Sequence, residues 1–382
     1  MIIEFFYWIL WFITFSLIVI VIVSLYNLFT FARVRRVLEI DYHAPFISVL
    51  VPARNEERGI RECVDSLCNQ VYTSYEVLVL DDGSSDSTPE ILKELQNQYP
   101  DNLSIVSGTD LPQDWIGKSH ACHQLSMKAK GEYLLFTDAD TVHSPYSLLS
   151  LIRTSRQYQA DLLTAVPNQK LSSFWEHLMI PFMHVLYHGY LPNMLIYSNH
   201  DSRFSAANGQ VMLFRYDAYQ EIDGHKSVKS SLVEDIDIAK KLKLNKSKVV
   251  LANAIDIVSC SMYNGFNEVY LGFSKNFYSG LSENITILFF FIIHVFTAYV
   301  LPPIIFIYAL ISGNAELMQW GLILIILGMF IRLSSTIQFS LPFFHVFLQP
   351  LSALFAIVIA GNSFLWSLPN SGRKWKGRTY ST

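Results

Sequence analysis

Apolar positions along this chain follow three different rhythms. Residues 5–31 run without a single charge, longer than the roughly 20 apolar residues that cross a bilayer core. The uncharged rhythm returns near the other end, over 285–311, 318–338 and 343–368, with Arg332 as the one charge inside those three stretches. Between them, from about residue 44 to 284, short apolar runs alternate with segments whose apolar residues recur at helical spacing. A signal peptide does not explain the first stretch, because no basic segment precedes it and it is too long.

The middle region predicts strands at 46–51, 75–80, 103–106 and 133–137. Ile60, Val64, Leu67 and Cys68 mark a helix, and further helices are expected after Thr88-Pro89, over 119–130, and over 146–159 behind Ser144-Pro145. Thr88 and Ser144 are the expected caps. Repetition of strand and helix implies right-handed crossovers and a mostly parallel sheet, with ligands beyond the carboxyl ends of its strands. Residues 171–200 break the pattern. Phe174, Trp175, Leu178, Met179, Phe182, Met183, Leu186 and Tyr187 give them a broad apolar face, suited either to a membrane interface or to a core helix pair.

Composition agrees with membrane segments. Of 382 residues 51% are hydrophobic and only 16% charged, against about 25% in ordinary soluble domains. A net charge of −4 gives no bulk attraction to nucleic acid. Cys63, Cys68, Cys122 and Cys260 have neither zinc spacing nor disulfide density, and read as reduced, buried thiols.

The candidate chemistry sits at two predicted strand ends. One apolar run finishes in Asp81-Asp82-Gly83-Ser84, the other in Asp138-Ala139-Asp140. Aspartate at a strand end is also a common helix cap. Two acidic pairs, with Asp235 later in the chain, favour function instead. An Asp-x-Asp offers hard oxygen ligands to a divalent cation, which can neutralise a diphosphate. Lys118, behind Trp115-Ile116-Gly117, is either a solvated helix-start lysine or a phosphate or sugar ligand. His120 and His123 lack patterned metal partners and read as packing or acceptor contacts.

These motifs, in this order, resemble family 2 glycosyltransferases with a GT-A fold, over residues 45–280. The resemblance implies an α/β, Rossmann-like nucleotide-diphospho-sugar transferase domain flanked by transmembrane helices. It places Pro52, Ala53 and Glu56 at the entry to the nucleotide pocket, Asp82 on the base, and Asp138, Ala139 and Asp140 in the metal motif, with Asp140 and Asp138 as ligands of Mg²⁺ or Mn²⁺. Val233-Glu234-Asp235 matches the motif carrying the catalytic base, Asp235, with Glu234 beside it. The Gln-x-x-Arg-Trp motif of processive members is replaced by Gly272-Phe273-Ser274-Lys275-Asn276, where Lys275 can still face the leaving diphosphate. A narrower likeness, to carotenoid-acid glycosyltransferases within the family, lies in Gly117-Lys118-Ser119-His120, Gly224-His225-Lys226-Ser227 and Trp375-Lys376-Gly377-Arg378; Asn208-Gly209-Gln210 departs from it.

The expectation is a multi-pass protein of the cytoplasmic membrane, an inverting, metal-dependent enzyme moving one sugar, glucose, from a UDP-sugar to a lipid acceptor such as a carotenoid acid. A processive polysaccharide synthase and a catalytically silent scaffold are the alternatives. The expected organisation is a transmembrane helix at 1–32, a cytoplasmic catalytic domain at 44–284, a membrane region at 285–368 and a basic cytoplasmic tail at 369–382. Arg33, Arg35 and Arg36 put the catalytic domain inside, and so does the tail for itself. Three full crossings between them conflict with that, so either 343–368, broken by Pro350 and Gly361-Asn362, is re-entrant or a hairpin, or Pro302-Pro303 splits the earlier stretch.

Overall fold

The computed structural model describes residues 1–38, 44–368, 373–375 and 378–380; the side chains of the basic tail, expected on the cytoplasmic face, lie outside that description. In chain order the elements are α1 (Ile2–Thr30), β1 (Ala32–Arg33), β2 (Ile47–Ala53), α2 (Ile60–Cys68), β3 (Tyr75–Asp81), α3 (Thr88–Gln98), β4 (Leu103–Ser107), α4 (Gly117–Ser126), β5 (Tyr133–Thr137), β6 (Thr141–His143) and α5 (Ser147–Tyr158). There follow β7 (Leu162–Val166), β8 (Asn168–Gln169), α6 (Phe174–Gly189), α7 (Asn193–Ser198), β9 (Val211–Arg215), α8 (Tyr216–Glu221), α9 (Glu234–Leu244), β10 (Val249–Asn253) and β11 (Val258–Cys260). The last are α10 (Gly265–Gly280), α11 (Ile285–Val295), α12 (Leu301–Ser312), α13 (Ala315–Gln338), α14 (Gln349–Ser367), β12 (Arg373–Trp375) and β13 (Arg378–Tyr380). The chain divides into two compact units: Phe31–Lys170 with Met194–Met262, and Met1–Thr30 with Leu171–Asn193 and Tyr263–Thr382.

The first unit is built on an eight-stranded sheet in the order β1-β10-β7-β9-β5-β2-β3-β4. Every neighbour pairing is parallel except those of β9, which runs antiparallel between β5 and β7. The sheet is thus mostly parallel, as expected. Its inner strands are apolar on both faces, because helices cover both: all five positions of β7 and of β10 are buried. Helix α2 turns Ile60, Cys63, Val64 and Leu67 into that core. Parallel pairing of β2 with β3 and β5 brings the ends of all three strands to one edge. A small sheet, β6-β11-β8, follows there, setting Cys260 opposite Thr141.

Two expected caps are corrected. Thr88 is the first helical residue of α3 rather than its cap, since the Asp86 carboxylate takes the Thr88 N–H at 3.0 Å. The Thr88 hydroxyl is then free to accept the Glu56 N–H at 2.9 Å. Likewise Ser144 and Pro145 form a turn ahead of α5, which begins at Ser147 after that residue's N–H bonds Ser144 O at 2.9 Å. Two of the arginines behind α1 are held by side chains of this unit. Arg33 pairs with Asp256 at 2.8 Å, and Arg36 lies 4.5 Å from the centre of the Tyr146 ring.

The second unit is helical. Four helices, Glu4–Thr30, Ile285–Ser312, Ala315–Gln338 and Phe343–Ser367, are long and apolar enough to cross a membrane. Pro302 and Pro303 do not split the second of them. A π-turn at Phe296–Val300 precedes the prolines, which fall in the first turn of α12, where a missing N–H is best tolerated. Helix α6 is a core member of this unit: Leu178, Met179, Phe182 and Val185 pack in one cluster with Leu10, Leu17, Leu324, Ile331 and Ala356.

Candidate active site

At the end of β2 the chain passes Pro52 and Ala53, and Ala53 O accepts the Asp82 N–H at 2.8 Å. The two acids after β3 then take different tasks. Asp81 caps its own turn, its Oδ1 accepting the Ser84 N–H at 3.0 Å. Asp82 is buried at the sheet edge, with its carbonyl and that of Gly83 bonded by the Arg54 guanidinium. Asn55, at φ +52°, accepts the Ser85 N–H at 2.8 Å and donates its own N–H to Ser84 Oγ at 3.0 Å. Asparagine tolerates that left-handed conformation. The loops after β2 and β3 are thereby tied together around Asp82. Arg54 and Asn55 lay in the motif from the outset, but nothing in the sequence distinguished their tasks from those of Glu56.

The second acidic pair follows β5. Asp138 Oδ1 lies 2.8 Å from Lys118 Nζ, and the same ammonium lies 3.0 Å from Glu234 Oε1. Lys118 reaches both from the first turn of α4, which starts at Gly117 rather than at 119 as expected. Burial works against its charge, but Asp138 and then Glu234 outweigh it and hold the lysine protonated well above its ordinary range. Ala139 is buried under α2, where a Cβ on Gly59 would stand only 3.1 Å from Ala139 O. Asp140 points inward. Its Oδ1 is buried without a hydrogen-bond partner, and burial, reinforced by Asp138 and then Glu56, pushes its carboxyl up to about 7.

Asp235 stands in the first turn of α9, next to Glu234. Its Oδ2 accepts the Gly209 N–H at 3.0 Å and its Oδ1 the Ile236 N–H at 2.8 Å. Burial, then the adjacent Glu234, raises its carboxyl to about 7, against the opposing pull of Lys118. A side chain at 209 would crowd the lysine. A Cβ there would come within 3.2 Å of Lys118 Nζ and 3.5 Å of Asp235 Oδ2. The stretch Asn208-Gly209-Gln210, a departure from the carotenoid-type pattern, thus holds Asp235 through the Gly209 N–H and runs close to Lys118.

The structure therefore brings Asp138, Asp140, Glu56, Lys118, Glu234 and Asp235 to one place, with Pro52, Ala53 and Asp82 on the adjoining strand ends. Lys275 lies on α10, in the helical unit. His120 and His123 both pack against Trp115, with ring centres 5.2 Å away in each case, which is the packing reading. Among the described residues no three His, Cys, Asp or Glu side chains form a ready metal cage. Two carboxylates with one unpartnered buried oxygen still suit a divalent cation that takes its remaining ligands from a diphosphate and water.

A mostly parallel sheet carrying an Asp-x-Asp turn and a second buried acid at its carboxyl edge defines the GT-A class of nucleotide-sugar transferases. Residues 48–221 match the family described as glycosyl transferase family 2. Over 240 residues the chain is 29% identical to 4,4'-diaponeurosporenoate glycosyltransferase of Staphylococcus haemolyticus, covering 62% of each protein. The enzyme of that name from Staphylococcus aureus is 26% identical over 246 residues, 63% of each. The chain thus matches less than two thirds of these relatives' length. Among solved structures, the mannosyltransferase PcManGT of Pyrobaculum calidifontis superposes with a TM-score of 0.55 at 16% identity, covering 94% of this chain and 99% of that one, which shows a shared fold.

Proposed function

We propose that the protein is a membrane-bound, inverting glycosyltransferase. It moves a single sugar, glucose, from a UDP-sugar to a lipophilic acceptor such as a carotenoid acid. The observation that carries this reading is Lys118, whose ammonium touches Asp138 of the metal motif and Glu234 beside the base, so that both halves of the chemistry share one centre. The acceptor class is supported by the names of the staphylococcal relatives, and the membrane location by the four apolar helices. The absence of the Gln-x-x-Arg-Trp motif supports transfer of one sugar over chain growth.

In this reading Asp82 binds the uracil, and Pro52, Ala53 and Glu56 line the nucleotide's entry. Asp140 and Asp138 hold Mg²⁺ or Mn²⁺, which when bound supplies positive charge to the departing diphosphate. Lys118 adds a second positive charge beside Asp138 and is positioned to follow the phosphate as negative charge builds on it. Asp235 faces the acceptor. Toward a hydroxyl it takes the proton as the oxygen attacks the anomeric carbon, while toward an ionised carboxylate it only orients. The test is direct: membranes carrying the protein are incubated with radiolabelled UDP-glucose and a carotenoid acid. We expect one labelled glucosyl ester by mass spectrometry, with one UDP released per sugar. Unlabelled lipid, or a ladder of sugars on it, would sink the reading.

A further inference from the structure

The helical unit buries a cation that sugar transfer does not use. Arg332, in α13, is fully buried. Its Nε donates to the carbonyl of His345 at 3.2 Å, while Nη1 and Nη2 have no hydrogen-bond partner. Arginine cannot neutralise itself by losing a proton, so four N–H bonds of a charged fork face the interior without an acceptor. A buried charge in such a setting is normally paired, and none of the ion pairs among the described residues includes Arg332.

Other buried polar atoms around it are unsatisfied as well. His184 and His188 sit one turn apart on α6, and Nδ1 of each lacks a partner. Arg332, His345 and His188 are the charged and titratable neighbours of His184. Gln349, one turn beyond His345, is buried with both amide atoms unpaired. Ser335 and Thr336, three and four residues after Arg332 and so on its face of the helix, are buried with free hydroxyls. His188 Nε2 bonds Ser334 Oγ at 2.7 Å, and Ser334 Oγ reaches Ser24 O at 3.3 Å, which closes the cluster against α1. Orphaned buried polar atoms are uncommon in native folds, and here several fall on α6, on α13 beside Arg332 and on the segment entering α14 that Arg332 bonds.

We propose that this cluster is a binding site for the singly charged oxyanion headgroup of a membrane amphiphile. One arginine amid neutral groups matches one negative charge. The oxyanion accepts from the guanidinium fork, the Gln349 amide and the hydroxyls together. The surroundings choose the rest of the ligand. From residue 285 to 367 Glu316 and Arg332 are the only charged side chains, so the ligand brings an apolar tail among apolar helices. Two sources share that chemistry: a carboxylate amphiphile, which would be the acceptor, and the phosphodiester of a bilayer lipid. The inference rests on the membrane location proposed above, but not on the transfer reaction.

The test uses the full chain in non-ionic detergent without donor, and compares oleate, methyl oleate and phosphatidylglycerol as ligands by native mass spectrometry. We expect oleate or phosphatidylglycerol to bind at least about tenfold tighter than the uncharged ester. Preference for oleate identifies the carboxylate source, and preference for phosphatidylglycerol the lipid headgroup. Arg332→Gln should erase the discrimination and Arg332→Lys keep part of it. Failure of both oleate and phosphatidylglycerol to bind the native protein more tightly than the uncharged ester would overturn the proposal, whether or not the variants fold. So would discrimination that survives in Arg332→Gln. UDP binding measured on the same samples reports on the catalytic reading separately: its loss, with oleate selection intact, would count against sugar transfer and leave this site standing.

Discussion

Asp140 and Asp235 are both pushed to about 7, chiefly by burial, and that shapes what single substitutions should do. A carboxylate raised this far is protonated in acid and takes up its charge only near neutrality. For a hydroxyl acceptor, kcat/KM should therefore rise with pH through about 7 as Asp235 loses its proton, then level off. Asp235→Asn should lower that rate about 10²–10⁴-fold, the usual scale for a general base. With a carboxylic acid acceptor, already ionised, both effects should shrink to a few-fold. Lys118 pulls the Asp235 carboxyl downward, so Lys118→Gln should move the acid limb to higher pH; an unmoved limb would separate the lysine from the base. Asp140→Ala should abolish transfer in a folded protein, since it removes the orphaned oxygen and spares the core. Circular dichroism and UDP release on one preparation check both halves.

At the scale of elements, Ser48 on β2 holds the turn that leads into β5. Ser48 Oγ accepts the N–H groups of Lys130 and Gly131 at 3.0 and 2.9 Å, and donates to Glu76 at 2.7 Å. A Cβ on Gly131 would meet Ser48 N at 2.5 Å and Tyr133 O at 2.6 Å, backbone atoms that cannot swing aside. Gly131→Ala should destabilise the protein by about 1–3 kcal/mol through overpacking, and displace the strand that delivers Asp138. Thermal unfolding with and without UDP should show a lower Tm and a smaller shift on nucleotide addition. A Tm equal to the native protein's would mean that the strand slides without cost. The strands were legible because β-branched and aliphatic runs end in turn residues. The helix starts were less so, because Asp86 and Ser144 reassign hydrogen bonds that a local pattern gives to other residues.

At the scale of the whole chain the open matter is topology. Four helices have the length and composition to cross. Arg33, Arg35 and Arg36 favour a cytoplasmic position for the catalytic unit behind α1, and the tail's basic residues favour the same for 369–382. We expect the protein to resist carbonate extraction. In sealed inside-out vesicles, a protease should cut a C-terminal tag from the exposed cytoplasmic face. A tag cut only from the opposite face would establish three crossings after the catalytic unit and give the tail's charge no topological role.

By itself the sequence determined those features that short-range patterning can carry. It set the alternation of strand and helix, the strand ends where Asp82, Asp138 and Asp140 fall, and the uncharged runs that became helices of the second unit. Each stems from local periodicity or from a turn adjoining its own strand. Only the tertiary structure decided that Lys118 bridges Asp138 and Glu234, and that Gly209 supports Asp235. It alone decided that Arg332 meets His345 and lies among the histidines of α6. These contacts join residues far apart in the chain, and they matter because burial removes water as the competing partner. No pattern along the chain encodes that directly.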